Sequence, residues 1–525
     1  MDVVKHPEKS ITCKIETGRA ELIRKNRKNI TPIIQTVILC GKQNIPLRGH
    51  RDSGKIIVEQ ENDRLIQENQ GNFREILRYR AQGDKHLKSF LEAEGTIKYT
   101  SATLQNEIIE SCNKIILNKI VTNINAQRCF TILADETADI GGIEQVSLCA
   151  RYLDVKNMIM KEEFLQFVPT TDTTGKGLAD IIIQSLHSFG VDTKYLRGQG
   201  YDGCASMSGQ FNGAQAIIRQ SHPLVTYVHC AAHVLNLAIS YSCSIQEIRN
   251  CLGTISKVRD FFIYPKRKDV LKSQIEESQE CITKKTLKRL CATRWVERFH
   301  AVNDFLELFE YVIESLFIIS KWSVTEISSQ ASNLRTSILK GDFIICLLIV
   351  NKVFSFGLPL SKQLQRINID LGEAMDLAED TIKELQTLRS NVDSEFHKIF
   401  ENALTLSNKL DTNISIPHII GRQTKRVNIE TNSPESYFRV AFFIPYLDTF
   451  IDQLNLRRLE SIKSSNTPRN AMEAIVLCNS QIYPNVFKLL QIFATLPVST
   501  ASNERSFSNL KRIKTYLRNT MSQGW

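Results

Sequence analysis

The sequence predicts an α/β protein: a mixed β-sheet core, interrupted by a large all-helical stretch and preceded by a helical amino-terminal region. Three observations carry this reading. The apolar period changes from three-four spacing to alternation near Cys129; β-prone runs and helical patterns then follow in the order β-β-β-α-β-α-β-α; and from about Cys243 to Tyr483 alternation disappears. At about 150 residues per domain, a chain of 525 residues should divide into several units. The expected units are 1–125, 126–242, 243–483 and 484–525.

Residues 1–125 read as helical, broken by turn chemistry at Arg48-Gly-His-Arg-Asp-Ser-Gly54 and at Gly71-Asn72-Phe73. The clearest helix carries Leu104, Ile108, Cys112, Ile115, Ile116, Ile120 and Ile124 after the capping candidates Thr100 and Ser101. It runs into an apolar strand, Cys129 to Asp139, that stops at acidic groups. Val146, Leu148, Ala150 and Tyr152 alternate with polar neighbours, and Met158 to Phe167 forms a third strand. Thr174 caps a helix through Leu178, Ile182 and Leu186, which Gly190 ends. The stretch Tyr195 to Gly203 is a strand by its place in the order, Ala214 to Gln220 a helix, Leu224 to Cys230 a strand, and Ala231 to Tyr241 a helix. Later patterns include Phe305 to Ile319 and a long helix from Leu371 to Ile399, then a basic loop, Pro417 to Pro434, with Arg422, Lys425 and Arg426. A last amphipathic helix carries Phe507, Leu510, Ile513 and Leu517 inward. The element order resembles that of the ribonuclease H-like fold.

Bulk properties narrow the function classes. A net charge of +10, from 66 basic and 56 acidic residues, permits a polyanionic partner without requiring one. Thirteen cysteines, none spaced Cys-x-x-Cys, write neither a disulfide framework nor a zinc finger, and a reducing compartment is expected. Charges near the start argue against a secretory leader, and the longest apolar run, Phe343 to Val350, is too short to span a bilayer, so no membrane contact is expected.

The chemistry-bearing residues are mostly acidic. Asp135 ends the first strand beside Glu136, with Asp139 nearby, and Asp202 ends the fourth between Gly200 and Gly203; in this order the two strands are neighbours. Glu504, on the first turn of the last helix, is the third candidate, and its neighbour Arg505 is placed to meet a phosphate or Glu504 itself. Two-metal phosphoryl chemistry needs about three carboxylates around a cation pair. Turn formation and helix capping account more plainly for each residue taken alone. His229, Cys230 and His233 offer three ligand atoms but no fourth, so a buried thiol with two satisfied imidazoles is the first reading and a phosphate contact by His233 the second. Arg294 and Trp295 suit a stacked base beside a phosphate, although a core tryptophan with a surface arginine is the plainer reading of these residues alone.

Together, Ala-Asp-Glu-Thr-Ala-Asp at 134–139, the Gly-Gln-Gly-Tyr-Asp-Gly-Cys-Ala-Ser-Met-Ser-Gly run at 198–209, His-Cys-Ala-Ala-His at 229–233, Thr-Arg-Trp at 293–295 and Ser-Asn-Glu-Arg-Ser-Phe-Ser at 502–508 resemble the hAT transposase superfamily. Leu47 to Asp52 and Gln70 to Phe73 fit its DUF4371, MYM-type zinc finger protein 1-like branch. The resemblance implies a ribonuclease H-like core split by a helical insertion, with Asp135, Asp202 and Glu504 as a catalytic triad binding Mg²⁺ or Mn²⁺. It implies support from Cys230 and His233, and base stacking by Trp295 beside Arg294. A carboxy-terminal dimerisation segment would include Phe507, Leu510 and Leu517, clipped where the sequence stops at Trp525. DNA is the implied partner, bound weakly or without sequence preference in the absence of a zinc finger, and the nucleus the implied location. The implied function is metal-dependent DNA cleavage and strand transfer. The alternatives are a domesticated, catalytically idle nuclear protein acting through dimerisation and protein or chromatin binding, and, more distantly, an RNA-cleaving ribonuclease.

Overall fold

The structure, a computed structural model, describes residues 11–49, 52–58, 69–95, 97–278, 284, 286–291, 295–417, 431, 433–456 and 470–514, with side chains described from 18 onward except that of Trp295. Five strands form one mixed sheet: β1 (Phe130–Ala138), β2 (Glu144–Asp154), β3 (Ile159–Thr170), β4 (Leu196–Tyr201) and β5 (Thr226–His229), in the order β3-β2-β1-β4-β5. The first three pair antiparallel, whereas β4 lies parallel to β1, with Leu133 opposite Gly200, and β5 parallel to β4. The mixed α/β class predicted from sequence is the class observed, and β1 and β4 are neighbours.

Alternation along β1 and β2 decides what each face meets. Phe130, Ile132, Ala134, Val146, Leu148, Ala150 and Tyr152 point into one core with Leu178, Ile182 and Leu186 of the helix Gly175–Phe189 and Val121 and Ile124 of the helix Ala102–Gln127. Ser101 caps the latter helix by accepting from Leu104 N, and Thr174 caps the former through Gly177 N. The polar neighbours on β2 do not face water. Gln145, Ser147 and Arg151 are buried beneath the two last helices, Pro484–Thr495 and Ala501–Ile513. Burial obliges these groups to find partners. Arg151 donates to the carbonyls of Ile367, Ile369 and Ala494 and pairs with Glu162 at 2.7 Å.

The amino-terminal helices Ile11–Lys42, Asn72–Gly83 and Lys85–Glu92 share a separate core around Ile33, Phe73, Leu77 and Leu91. Arg74, itself buried, donates to the carbonyls of Asp52, Gly54 and Lys55, so the two turn motifs of this region are parts of one packed corner.

Between Cys243 and Tyr483 the described residues form helices and no strand. The sequence pattern is corrected at two points. The Phe305 to Ile319 pattern belongs to two helices, Trp295–Glu307 and Phe309–Ser320, broken at Leu308, and the long helix breaks at Asn391 into Leu371–Ser390 and Val392–Lys409. The backbone at both breaks sits near φ −100°, ψ 6 to 27°. Buried Leu308, Phe309, Leu388 and Val392 keep the apolar stripe unbroken across each break, so spacing alone gives no sign of it. The helix Gly341–Leu364 is longer than its apolar run suggests, and by length and composition it would suffice to cross a bilayer. Its Ile344, Leu347, Val350 and Phe354 are instead buried in the large core of this region. Most of the basic loop, including Arg422, Lys425 and Arg426, lies outside the described residues.

Candidate active site

The sheet delivers Asp135 and Asp202 to one end. Asp135 lies on β1 opposite Ser147 of β2, on the face that the last helix covers, and Asp202 follows the final residue of β4. Glu504 arrives from the first turn of Ala501–Ile513. What holds that helix in place is a set of buried polar contacts. Asn503 Nδ2 donates to Leu133 O at 3.2 Å and to Ser147 O at 2.6 Å, and Ser506 Oγ lies 2.7 Å from Ser147 Oγ. Asn503 thus reads the backbone two residues before Asp135 and hands Glu504 to the same end of the sheet.

Close packing of the returning segment explains the glycines. A Cβ on Gly200 would stand 2.5 Å from Pro497 Cγ, and one on Gly203 would stand 2.9 Å from the His229 ring. No side chain fits at either point without displacing the neighbour.

The acidic groups feel one another. The Asp135 carboxyl is pushed up to about 8, first by burial and then by the charges of Asp202 and Glu504, against the pull of a 3.0 Å hydrogen bond from Glu136 N. Glu136 is also raised, by burial and by Asp202 and Glu144, although the Ser206 hydroxyl opposes the shift. One of its oxygens, Oε2, is buried without a hydrogen-bond partner. Asp202 Oδ1 accepts from Cys204 N at 3.2 Å.

Hard carboxylate oxygens are the donors that Mg²⁺ and Mn²⁺ take, and a cation would relieve the repulsion that raises Asp135. Asp135, Asp202 and Glu504 fit such an ion in chemical kind. Among the described residues, however, no three His, Cys, Asp or Glu side chains close into a ligand cage. The three share an electrostatic environment and stop short of that geometry.

The other sequence candidates separate around this point. Cys230 is buried and its thiol is raised by burial; its sulfur accepts from Thr500 N at 3.4 Å and Thr500 Oγ1 at 3.5 Å, tying the end of β5 to the returning segment. The His229 and His233 rings stand 5.8 Å apart beside Gly203. His229 is lowered by burial and by His233, which favours its neutral form, and its buried Nε2 has no partner. The expected pair of satisfied imidazoles is therefore corrected at that nitrogen. Arg505 turns from the sheet end toward Ser502 Oγ at 2.7 Å and Gln365 O at 3.3 Å. Asp139 belongs to the β1–β2 turn: it accepts from Gly141 N and Ile143 N and takes Lys514 Nζ at 2.6 Å. Burial alone would raise its carboxyl, but the hydrogen bonds from Lys514 and the turn hold it below the usual carboxylate range. Trp295 opens a helix; its side chain and Arg294 lie outside the described residues.

The dimerisation candidates sit differently within the chain. Phe507 is buried within its own chain, its ring 5.6 Å from that of Phe167 on β3, where the last helix packs on the sheet. Leu510 is half-buried, and Leu517 lies outside the described residues. The exposed apolar face lies earlier. Val486, Leu489 and Phe493 project from one side of Pro484–Thr495, with Leu477 and Ile482 close by in sequence, and Leu489 is 66% exposed. Their three-four spacing was legible, but a pattern does not say whether a stripe faces inward or outward.

Comparison with known proteins shows what these features are similar to. Residues 1–213 match DUF4371, the ZMYM1/FAM200 RNase-like domain, and residues 447–524 match the hAT family C-terminal dimerisation region. The human protein called 52 kDa repressor of the inhibitor of the protein kinase is 24% identical over 572 residues, covering 95% of this chain and 73% of that protein. Its mouse counterpart is also 24% identical, over 573 residues and the same shares. The second match encloses both Glu504 and the exposed face around Leu489.

Proposed function

We propose that this chain, whose residues 1–213 match the DUF4371 model and 447–524 the hAT C-terminal dimerisation region, is a hAT transposase-derived protein that cleaves DNA at the carboxylate end of its sheet and works as a self-associated assembly. The observation that carries the cleavage reading is the coupling of Asp135 to Asp202 and Glu504, three acidic groups from distant parts of the chain. Asp135, Asp202 and Glu504 would hold Mg²⁺ or Mn²⁺, and the metal when bound supplies Lewis-acid stabilisation of a phosphate under attack. Asn503 and Ser506 fix the approach of Glu504. His233, beside Asp202's loop, is a phosphate-positioning group in this reading, and Trp295 with Arg294 a base-stacking pair. Such chemistry implies a nuclear location.

Self-association is supported by the match to the dimerisation region, and we assign it to the face around Val486, Leu489 and Phe493. A second reading, a dimeric family member whose acidic site no longer cleaves, is favoured by the lack of a closed three-ligand cluster among the described residues. The test is nicking of branched or hairpin DNA by the purified chain with Mg²⁺ or Mn²⁺, wild type against Asp202→Asn at matched salt. Metal-dependent nicking lost in the variant is the expected result. Equal nicking by both overturns the site; nicking by neither, with self-association intact, leaves the non-cleaving reading.

A further inference from the structure

On elements other than those that carry the carboxylates, three helices of the all-helical region enclose an open groove of about 480 Å³. Its walls come from Gln246–Phe261, Pro265–Glu277 and Thr325–Ile338. At the corner between the first two, the Arg267 guanidinium lies over two rings at once, 4.3 Å from the centre of Phe261 and 4.6 Å from that of Tyr264. A hydrogen bond from Arg267 Nη1 to Phe261 O at 3.2 Å fixes its plane. Stacking of this kind can simply cap a helix corner, as cation–π pairs often do.

The other walls point to a ligand. Tyr264 is 57% exposed, so an aromatic ring already braced by a cation is offered to solvent. Gln330 and Asn333, exposed one turn apart on the opposite helix, bring amides that both donate and accept. Lys257 stands at the groove, and Lys266 and Lys268 flank Arg267 in sequence, all three exposed. The acidic member of the lining, Asp260, is paired with Arg259 at 2.7 Å. A flat π face, mixed donor and acceptor edges, and surrounding cations match an unpaired nucleotide: the base stacks, its edge meets the amides, and its phosphates meet the lysines.

We propose that this groove binds an unpaired nucleotide of single-stranded DNA, with Tyr264 as the stacking platform. None of its walls comes from β1, β4 or the last helix, so the proposal stands apart from whether the chain cleaves. An acidic peptide would use the cations but would gain little from the ring.

The experiment uses the full chain, a fluorescent oligothymidine and a duplex hairpin of the same charge, with anisotropy read at fixed low salt. Tyr264→Ala should weaken the single strand about tenfold and leave the duplex nearly unchanged, while Tyr264→Phe keeps wild-type affinity. Because Tyr264 is exposed, the melting temperature of Tyr264→Ala serves as the folding control. An oligonucleotide bearing 5-iododeoxyuridine should crosslink to the peptide that contains Tyr264. The proposal is overturned if the wild type does not bind the single strand. It is equally overturned by an unchanged affinity in Tyr264→Ala, an equal loss on both DNAs, or crosslinks that map elsewhere.

Discussion

At neutral pH without metal, a carboxyl held at about 8 keeps its proton, so Asp135 is uncharged while its neighbours share the site. The linkage has a definite sign. In the unfolded chain Asp135 ionises near the ordinary aspartate value, whereas in the folded chain it retains its proton up to about 8. The contribution to stability is therefore fully present below the unfolded value and is lost as pH rises through the interval to about 8. Asp135→Asn should remove that loss. The metal-free variant is expected to be more stable than wild type at pH 8, by on the order of 5 kcal/mol, with little difference at pH 4. Thermal melts at both pH values check it. Adding Mg²⁺ should raise the melting temperature of the wild type and not of the variant.

Gly200 gives a second test at the same scale. Its backbone touches Pro497, and a larger residue must push the returning segment off β4. Gly200→Val should cost about 3 kcal/mol or more in denaturant unfolding, as an overpacked core position does.

Among the elements, the last helix is held at both ends. Asn503 secures its start to β1 and β2, and Lys514, just past its end, pairs with Asp139 in a site where both side chains are under a tenth exposed. Breaking a buried pair from one side leaves a charge without its partner. Lys514→Met should therefore destabilise the chain by about 3–5 kcal/mol in equilibrium unfolding. Asp139 has a depressed carboxyl, so its contribution is present above the unfolded aspartate value and lost as pH falls through its folded value. The acid-side loss of stability should be smaller in Lys514→Met than in wild type.

These contacts mark where sequence reading stopped. The strands were legible because a period-two run such as Val146 to Tyr152 sends alternate side chains to opposite faces, a spacing that a helix does not use. The adjacency of Asp135 and Asp202 followed from the strand order. Asn503 with Leu133, and Lys514 with Asp139, join residues more than 350 apart and leave no local trace. Phe507 shows the complementary limit of a pattern. Its spacing marked it as apolar-facing, but the sheet that covers it belongs to its own chain.

On the scale of the whole molecule, the surface assigned to a second copy can be tested directly. Leu489 and Val486 are exposed within the matched dimerisation region, whereas Phe507 is not. Leu489→Glu with Val486→Glu should shift the chain to a monomer in sedimentation or light scattering at micromolar concentration, leaving its far-ultraviolet spectrum intact. An unchanged oligomer would move the interface elsewhere.

The route of the chain sets an order in time. Asp135 and Asp202 are synthesised early, and Glu504 follows about 300 residues after Asp202. At about 5–20 residues per second, a ribosome needs roughly 15–60 s to cross that interval. Throughout it the sheet end carries two acidic residues and lacks the third. A nascent chain, or one released early, therefore holds the sheet without the helix Ala501–Ile513 that brings Glu504 to it, and if that end of the sheet cleaves DNA as proposed above, the activity can arrive only with this last stretch of translation.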